Sequence, residues 1–144
     1  MSRNKEGKRR IGYSICGYNC FMTIAIIGAT SRRDKFANKA VRAFLQHNDT
    51  VIPIHPAQAE VEGLRAYASV LDAPEHIDVA SFYVPSNVGV RVLDECAQKG
   101  IQKIILNPGA ESRELLQRAK ELNIEAVQTC SIRMIGRAPS EFSD

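Results

Sequence analysis

The sequence predicts a doubly wound α/β domain, a single Rossmann-like unit on a five-stranded parallel sheet. Three observations carry this prediction. Short, mostly apolar runs begin near residues 23, 50, 78, 103 and 125. Stretches with helical periodicity separate most of them, at spacings that suit βα units. Glycine, proline or a small polar residue stops each run, which places the strand ends on one loop-bearing edge. The chain has 144 residues and is 44% hydrophobic, the size of one domain with an ordinary core.

The first strand is Thr23 to Ile27, an apolar and β-branched run that suits a strand covered on both faces. It ends on Gly28-Ala29-Thr30-Ser31, whose small side chains let a ligand approach the backbone. In this reading the turn amides and the next helix point at an anion, and Arg32, Arg33, Lys35 and Lys39 add positive charge. Ala37, Ala40, Val41, Phe44 and Leu45 form one face of the first helix, which His47-Asn48-Asp49 ends. Thr50 to Ile54 is a second strand, stopped by His55-Pro56. Residues 57–71 are less regular, with Gly63 and Tyr67 breaking them into a turn and a short helical or extended piece. Asp78 to Val84 is the third strand, stopped by Pro85, with Ser86 as the expected N-cap of the next helix. Val88, Val92, Leu93, Cys96 and Ala97 give that helix its buried face, and Lys99-Gly100 closes it. Lys103 to Leu106 is the fourth strand, ended by Asn107-Pro108-Gly109. Glu111 and Glu114 favour a helix start, with Leu115, Leu116, Ala119 and Leu122 on one face and Asn123 as a left-handed cap. Glu125 to Gln128 is the fifth strand, and a short helix is predicted over residues 130–135. A strand order of 3-2-1-4-5 would set Gly28 to Ser31 against Asn107 to Gly109 across a crevice.

Charge divides the chain. Residues 1–21 hold five basic residues and one acidic residue, whereas residues 22–144 hold 14 basic and 15 acidic. The folded part is therefore not basic, which removes the electrostatic support for a nucleic-acid partner. No apolar run is long enough to span a membrane. Residues 1–21 are expected to be an extension or tag, residues 22–137 the folded domain and residues 138–144 a tail. Cys16 and Cys20 form an isolated C-x₃-C pair, which is weak zinc evidence, and Cys96 is expected in the core. The cysteine pattern is not that of a secreted framework, so a cytoplasmic protein is expected.

The ligand can be narrowed from the turns. Gly28 has no second glycine of a G-x-G-x-x-G fingerprint, and the second strand ends without an acid for a ribose hydroxyl. NAD is therefore disfavoured, and a nucleotide with an extra ribose phosphate fits the basic residues better. No G-x-x-x-x-G-K-[ST] is present, which excludes a P-loop enzyme.

Ile26-Ile27-Gly28-Ala29-Thr30-Ser31, followed by Phe36-Ala37-Asn38-Lys39-Ala40-Val41, resembles the opening of the small coenzyme A-binding proteins, relatives of the CoA-binding domain of succinyl-CoA synthetase α chains. Val51-Ile52-Pro53-Ile54-His55-Pro56 resembles that family's second strand, with His55 where Asn is usual. Gly63 with Tyr67-Ala68-Ser69, then Phe82-Tyr83-Val84-Pro85-Ser86 and Asn107-Pro108-Gly109-Ala110-Glu111, are similar to later turns of the family. The resemblance implies a Rossmann-like fold and binding of coenzyme A or an acyl-CoA. It implies that Gly28, Ala29, Thr30 and Ser31 take phosphate groups and that Asn38 belongs to the same element. Lys39, with Arg32 or Arg33, would offset phosphate charge. His55, Pro56, Val84 and Pro85 would border the adenosine or the pantetheine arm, with Asn107, Pro108 and Gly109 as the opposite wall.

No catalytic set is readable. His47, His55 and His76 are scattered, and Ser86 and Ser131 read as helix caps. The expected role is non-catalytic binding of a small nucleotide ligand, with a homodimer or another protein as partner. Two alternatives remain open: thiol redox or acyl transfer through Cys130, which sits before a short helix, and a nucleotide-regulated interaction module.

Overall fold

The computed structural model describes residues 21–143. The expectations for the extension, including Cys16 and Cys20, lie outside the described residues.

Five strands form one parallel sheet: β1 (Thr23–Ile27), β2 (Thr50–Ile54), β5 (Val79–Phe82), β6 (Lys103–Leu106) and β7 (Glu125–Gln128). Their order is β2-β1-β5-β6-β7. A short antiparallel hairpin, β3 (Glu60–Val61) and β4 (Leu64–Arg65), stands apart from the sheet. The doubly wound parallel sheet is as expected, but the order is not 3-2-1-4-5. The third long strand, β5, lies directly beside β1, in the register Ile24↔Val79 to Ile27↔Phe82. The reason lies in residues 55–78, which carry the hairpin and a 3-10 turn (Val70–Asp72) rather than a helix across β1. The chain reverses direction across the sheet between β1 and β5, and that is where a crevice opens.

Alternation along β1 serves both faces. Ala25 and Ile27 join one core with Phe82, Leu93, Ile104 and Leu115, whereas Ile24 and Ile26 join another with Val41, Phe44, Ile105 and Ile132. On the first face lie α2 (Ser86–Lys99) and α3 (Arg113–Glu121); on the second lie α1 (Phe36–Gln46) and the one-turn α4 (Ser131–Met134). Burying a side chain such as Phe44 or Leu93, both fully inaccessible, contributes about 1.5–3 kcal/mol. Cys96 is among these core side chains, and burial pushes its thiol up to about 12. It is a packing residue.

Helix ends follow local chemistry with two exceptions, one being Ser131, expected as a cap but the first residue of α4 with Cys130 at the cap position. Gly100 closes α2 at φ 93°, and Asn123 adopts φ 59° after α3. Ser112 caps α3 by accepting from the Leu115 amide at 3.1 Å. Ser86, expected to cap α2, is instead its first residue; Pro85 holds the cap position and the Ser86 hydroxyl meets that of Ser112. Among the described residues, no helix is long and apolar enough to cross a membrane.

Candidate functional site

At the C-terminal edge of the sheet, a cleft of about 600 Å³ opens between the ends of β1, β5 and β6. That volume is in the range of small-molecule sites. Three segments build it, each set by the strand it follows.

The first segment is the turn after β1 and the start of α1, which contribute Gly28, Thr30, Arg32, Lys35, Phe36 and Ala37 to the lining. Gly28 has φ 89°, and a Cβ built there would lie 2.8 Å from Val84 Cγ1 and 2.9 Å from the Tyr83 carbonyl oxygen. Only glycine lets β1 and β5 come this close at their ends. Four amides at this turn are committed within the protein. Those of Gly28 and Ala29 both donate to the Ile54 carbonyl, at 2.9 and 3.1 Å. That of Ser31 donates to Gln58 Oε1 at 2.8 Å, and that of Arg32 to Thr30 Oγ1 at 3.2 Å. These four amides therefore meet protein partners in this structure. The strand-end carbonyl of β2 and the Gln58 side chain use them first. The start of α1, the other element expected to face an anion, has a first turn with no acidic residue and lines the cleft. Arg32 lies beside Asp34 at 3.3 Å, both side chains about two-thirds exposed, so that pair holds little energy.

The second segment is Phe82, Tyr83, Val84 and Pro85 after β5. Tyr83 is half-buried and its hydroxyl lies 2.9 Å from Ser131 Oγ. Burial pushes the Tyr83 phenol above its ordinary range. The third segment is Asn107, Pro108, Gly109 and Ala110 after β6. Asn107 is 2% exposed and fully engaged. Its Nδ2 donates to Ser81 Oγ and to the Phe82 carbonyl, each at 2.8 Å, and its Oδ1 accepts from the Ser131 amide at 2.9 Å. Ser81 Oγ in turn donates to Ser131 Oγ at 2.9 Å. This satisfied network pins the floor of the cleft to α4. Glu111 Oε1 accepts from the Gly109 amide at 2.7 Å and tightens the wall.

The structure thus brings together Gly28, Thr30, Arg32, Val84, Pro85, Asn107, Pro108 and Gly109 of the expected site residues. Six others are placed elsewhere. Ala29 is fully buried in the core. Ser31 is exposed beside the cleft, its amide on Gln58. Asn38 is fully buried and donates to the Thr30 carbonyl at 2.8 Å. The Lys39 ammonium lies 5.2 Å from the centre of the Phe36 ring. His55 Nδ1 accepts from the amides of Ala57 and Gln58 at 3.0 and 3.1 Å, so it holds the turn that also contains Pro56. Arg33, a candidate for phosphate charge, donates from Nη1 to Glu62 Oε1 and Oε2 at 2.8 and 2.9 Å.

Sequence reasoning missed Gln58 and Glu62, which shape the turn from outside. Glu62 adopts φ 50° beside Gly63 at φ 79°, the two left-handed positions of a tight hairpin turn. The left-handed turn could be foreseen at Gly63, but not the reach of the Glu62 carboxylate to Arg33. Phe36, 59% exposed on the cleft rim, is legible only as part of the family motif, not as a site residue. Cys130 packs against the α1-side core and is absent from the lining. Among the described residues, no group of three or more His, Cys, Asp or Glu could hold a metal ion.

The chain is similar to known proteins in sequence and in fold. Over 118 residues the chain is 32% identical to an ADP-forming acetate–CoA ligase of Methanocaldococcus jannaschii, covering 79% of this chain and 16% of the ligase. It is 29% identical to the α subunit of an ADP-forming acetate–CoA ligase of Pyrococcus furiosus, covering 78% of this chain and 25% of that subunit. The chain therefore spans a quarter or less of these relatives. A hypothetical protein from Pyrococcus horikoshii superimposes with a TM-score of 0.77 at 25% identity, over 90% of this chain and 96% of that one. The sheet, its connections and residues 22–136 all match one description: the chain belongs to the CoA binding domain family.

Proposed function

We propose that the cleft binds coenzyme A or an acyl-CoA and performs no chemistry on it. The observation that carries this reading is the polarity of the lining in a chain of this family. The segment after β1 presents Arg32, Lys35 and the N-terminus of α1; the segments after β5 and β6 present Phe82, Val84, Pro85 and Ala110. A ligand with phosphates at one end and a long, weakly polar arm at the other is complementary to both. The ionisable lining residues are Arg32, Lys35 and Tyr83. Burial drives the Tyr83 phenol further from neutrality, which disfavours it as an acid or base. In this reading Lys35 replaces Lys39 as the phosphate partner, because Lys35 lines the cleft and Lys39 sits over Phe36.

Calorimetry with CoA, NAD and ATP tests the proposal. CoA is expected to bind most tightly, and Lys35→Ala to weaken it about tenfold with a shallower salt dependence, as for loss of one charged contact. Cys130→Ala is expected to leave affinity unchanged. Binding of NAD in preference to CoA overturns the reading; a CoA mixed disulfide on Cys130 in intact mass would favour the redox alternative.

A further inference from the structure

Behind the turn that follows β1, two side chains outside the cleft lining, Asn38 and Arg42, hold its backbone, and a third, Glu62, holds the side chains of Asn38 and Arg33. Asn38 donates through Nδ2 to the Thr30 carbonyl at 2.8 Å and to Glu62 Oε2 at 3.0 Å. Its Oδ1 accepts from Arg42 Nε at 2.7 Å. Arg42 Nη2 then donates to two carbonyls, each at 2.8 Å: that of Arg33 and that of Phe142. Glu62 holds the Arg33 guanidinium from the other side. The carbonyls of Thr30 and Arg33 are thus both fixed, and Arg32, which lines the cleft, lies between them. The chain reaches Phe142 through a 3-10 turn, Pro139–Phe142, whose ring is 3% exposed. The guanidinium carbons of Arg42 and Arg137 lie 5.9 and 4.8 Å from its centre.

We infer that Arg42 is a positioning residue for the cleft: with the C-terminal turn as its second anchor, it sets the conformation of the basic loop at residues 30–35. The consequence for ligand affinity rests on the CoA reading above; the effect on the loop does not. The guanidinium suits this role because its donors lie in one rigid plane. One edge serves Asn38, and Nη2 spans two carbonyls that are 109 residues apart in sequence. A lysine ammonium is a point donor on a flexible stem and does not reproduce that span. The proposal links a segment remote from the cleft, the C-terminal turn, to the loop that meets the ligand.

Amide hydrogen exchange and CoA calorimetry on the full chain test it, with Arg42→Ala, Arg42→Lys and Phe142→Ala. In Arg42→Ala, exchange at the hydrogen-bonded amides of Arg32 and Lys35 is expected to rise about tenfold, while β1 and β5 amides keep their protection. CoA affinity is expected to fall about tenfold, the equivalent of one lost charged hydrogen bond. Arg42→Lys is expected to restore only part of both. Phe142→Ala, which keeps Arg42, is expected to move the same loop amides, and it serves if Arg42→Ala does not fold. Unchanged loop exchange, or a uniform loss of protection across the sheet, overturns the inference. If wild type fails to bind CoA but the loop amides respond, the ligand reading falls and the positioning role stands. If wild type binds CoA and Arg42→Ala binds equally well, the role in affinity falls.

Discussion

Gly28→Ala tests the claim that the cleft exists because β1 and β5 can close on each other at their C-terminal ends. Two costs arise. At φ 89° an alanine is held in a left-handed conformation, which costs about 1–2 kcal/mol. Its Cβ would also approach the Tyr83 carbonyl oxygen to 2.9 Å and Val84 Cγ1 to 2.8 Å. The valine methyl can rotate, but the carbonyl belongs to a chain pinned by the Tyr83 amide donating to the Ile27 carbonyl at 2.9 Å. Gly28 cannot retreat either, since its own amide is held by Ile54 at 2.9 Å on the opposite side. Forced overpacking of this kind costs about 1–3 kcal/mol. The expected total is about 2–5 kcal/mol. Gly109→Ala separates the two costs. Gly109 has φ 97°, yet its Cβ would meet nothing within 4 Å, so only the conformational cost applies, about 1–2 kcal/mol. Denaturant unfolding of both variants gives each total, and their difference isolates the steric part. Equal destabilisation of the two would refute the reasoning, because it would mean that the strand ends can part without penalty. Gly28→Ala is also expected to weaken CoA binding, since relief of the clash widens the junction of two cleft walls.

Two further predictions concern groups that shape the cleft without projecting into it. Asn107→Ala strips a partner from the buried Ser131 amide and the Phe82 carbonyl; a loss of about 2–4 kcal/mol in denaturant unfolding is expected, and a loss under 1 kcal/mol would argue against a network that pins the floor. Glu62 has its carboxyl held below the ordinary value of 4.5, first by the Asn38 amide and then by Arg33, against the opposing effect of burial. A carboxyl whose folded value is depressed contributes stability that is complete above its unfolded value and is lost as pH falls through the lower folded one. Wild type is therefore expected to be more stable than Glu62→Gln above about pH 4.5 and to lose that advantage in stronger acid. Thermal unfolding across pH checks this, and a gap that stays constant into strong acid would remove the carboxylate from the clamp.

The fold was legible because its signals are local. Strand runs such as Thr23–Ile27 and Lys103–Leu106, stopped by glycine or proline, specify short buried strands. Lys99-Gly100 and Asn123 mark helix ends by the same backbone rules in sequence and structure. Asp49 shows the limit. As part of the polar stretch ending α1 it was readable as a terminator, yet it is 5% exposed, accepts from the Met22 amide at 3.0 Å, and has its carboxyl pushed up by burial. That partner is 27 residues away, and no local pattern announces it.

The sequence by itself determined the class of fold, the edge on which a cleft opens and the family. Each depends on periodicity, turn chemistry and short motifs in order along the chain. Only the tertiary structure decided which residues share the cleft. Strand order is one reason: residues 55–78 cross to the far side of β1, so β5 rather than β6 supplies its neighbour. Hydrogen-bond competition is the other. The amides of Gly28 and Ala29 went to β2, Arg33 to Glu62 and Asn38 to the Thr30 carbonyl, each meeting a protein partner that is distant in sequence or fixed only by packing. A residue type advertises what a group can bond; the three-dimensional fold determines which partner reaches it first.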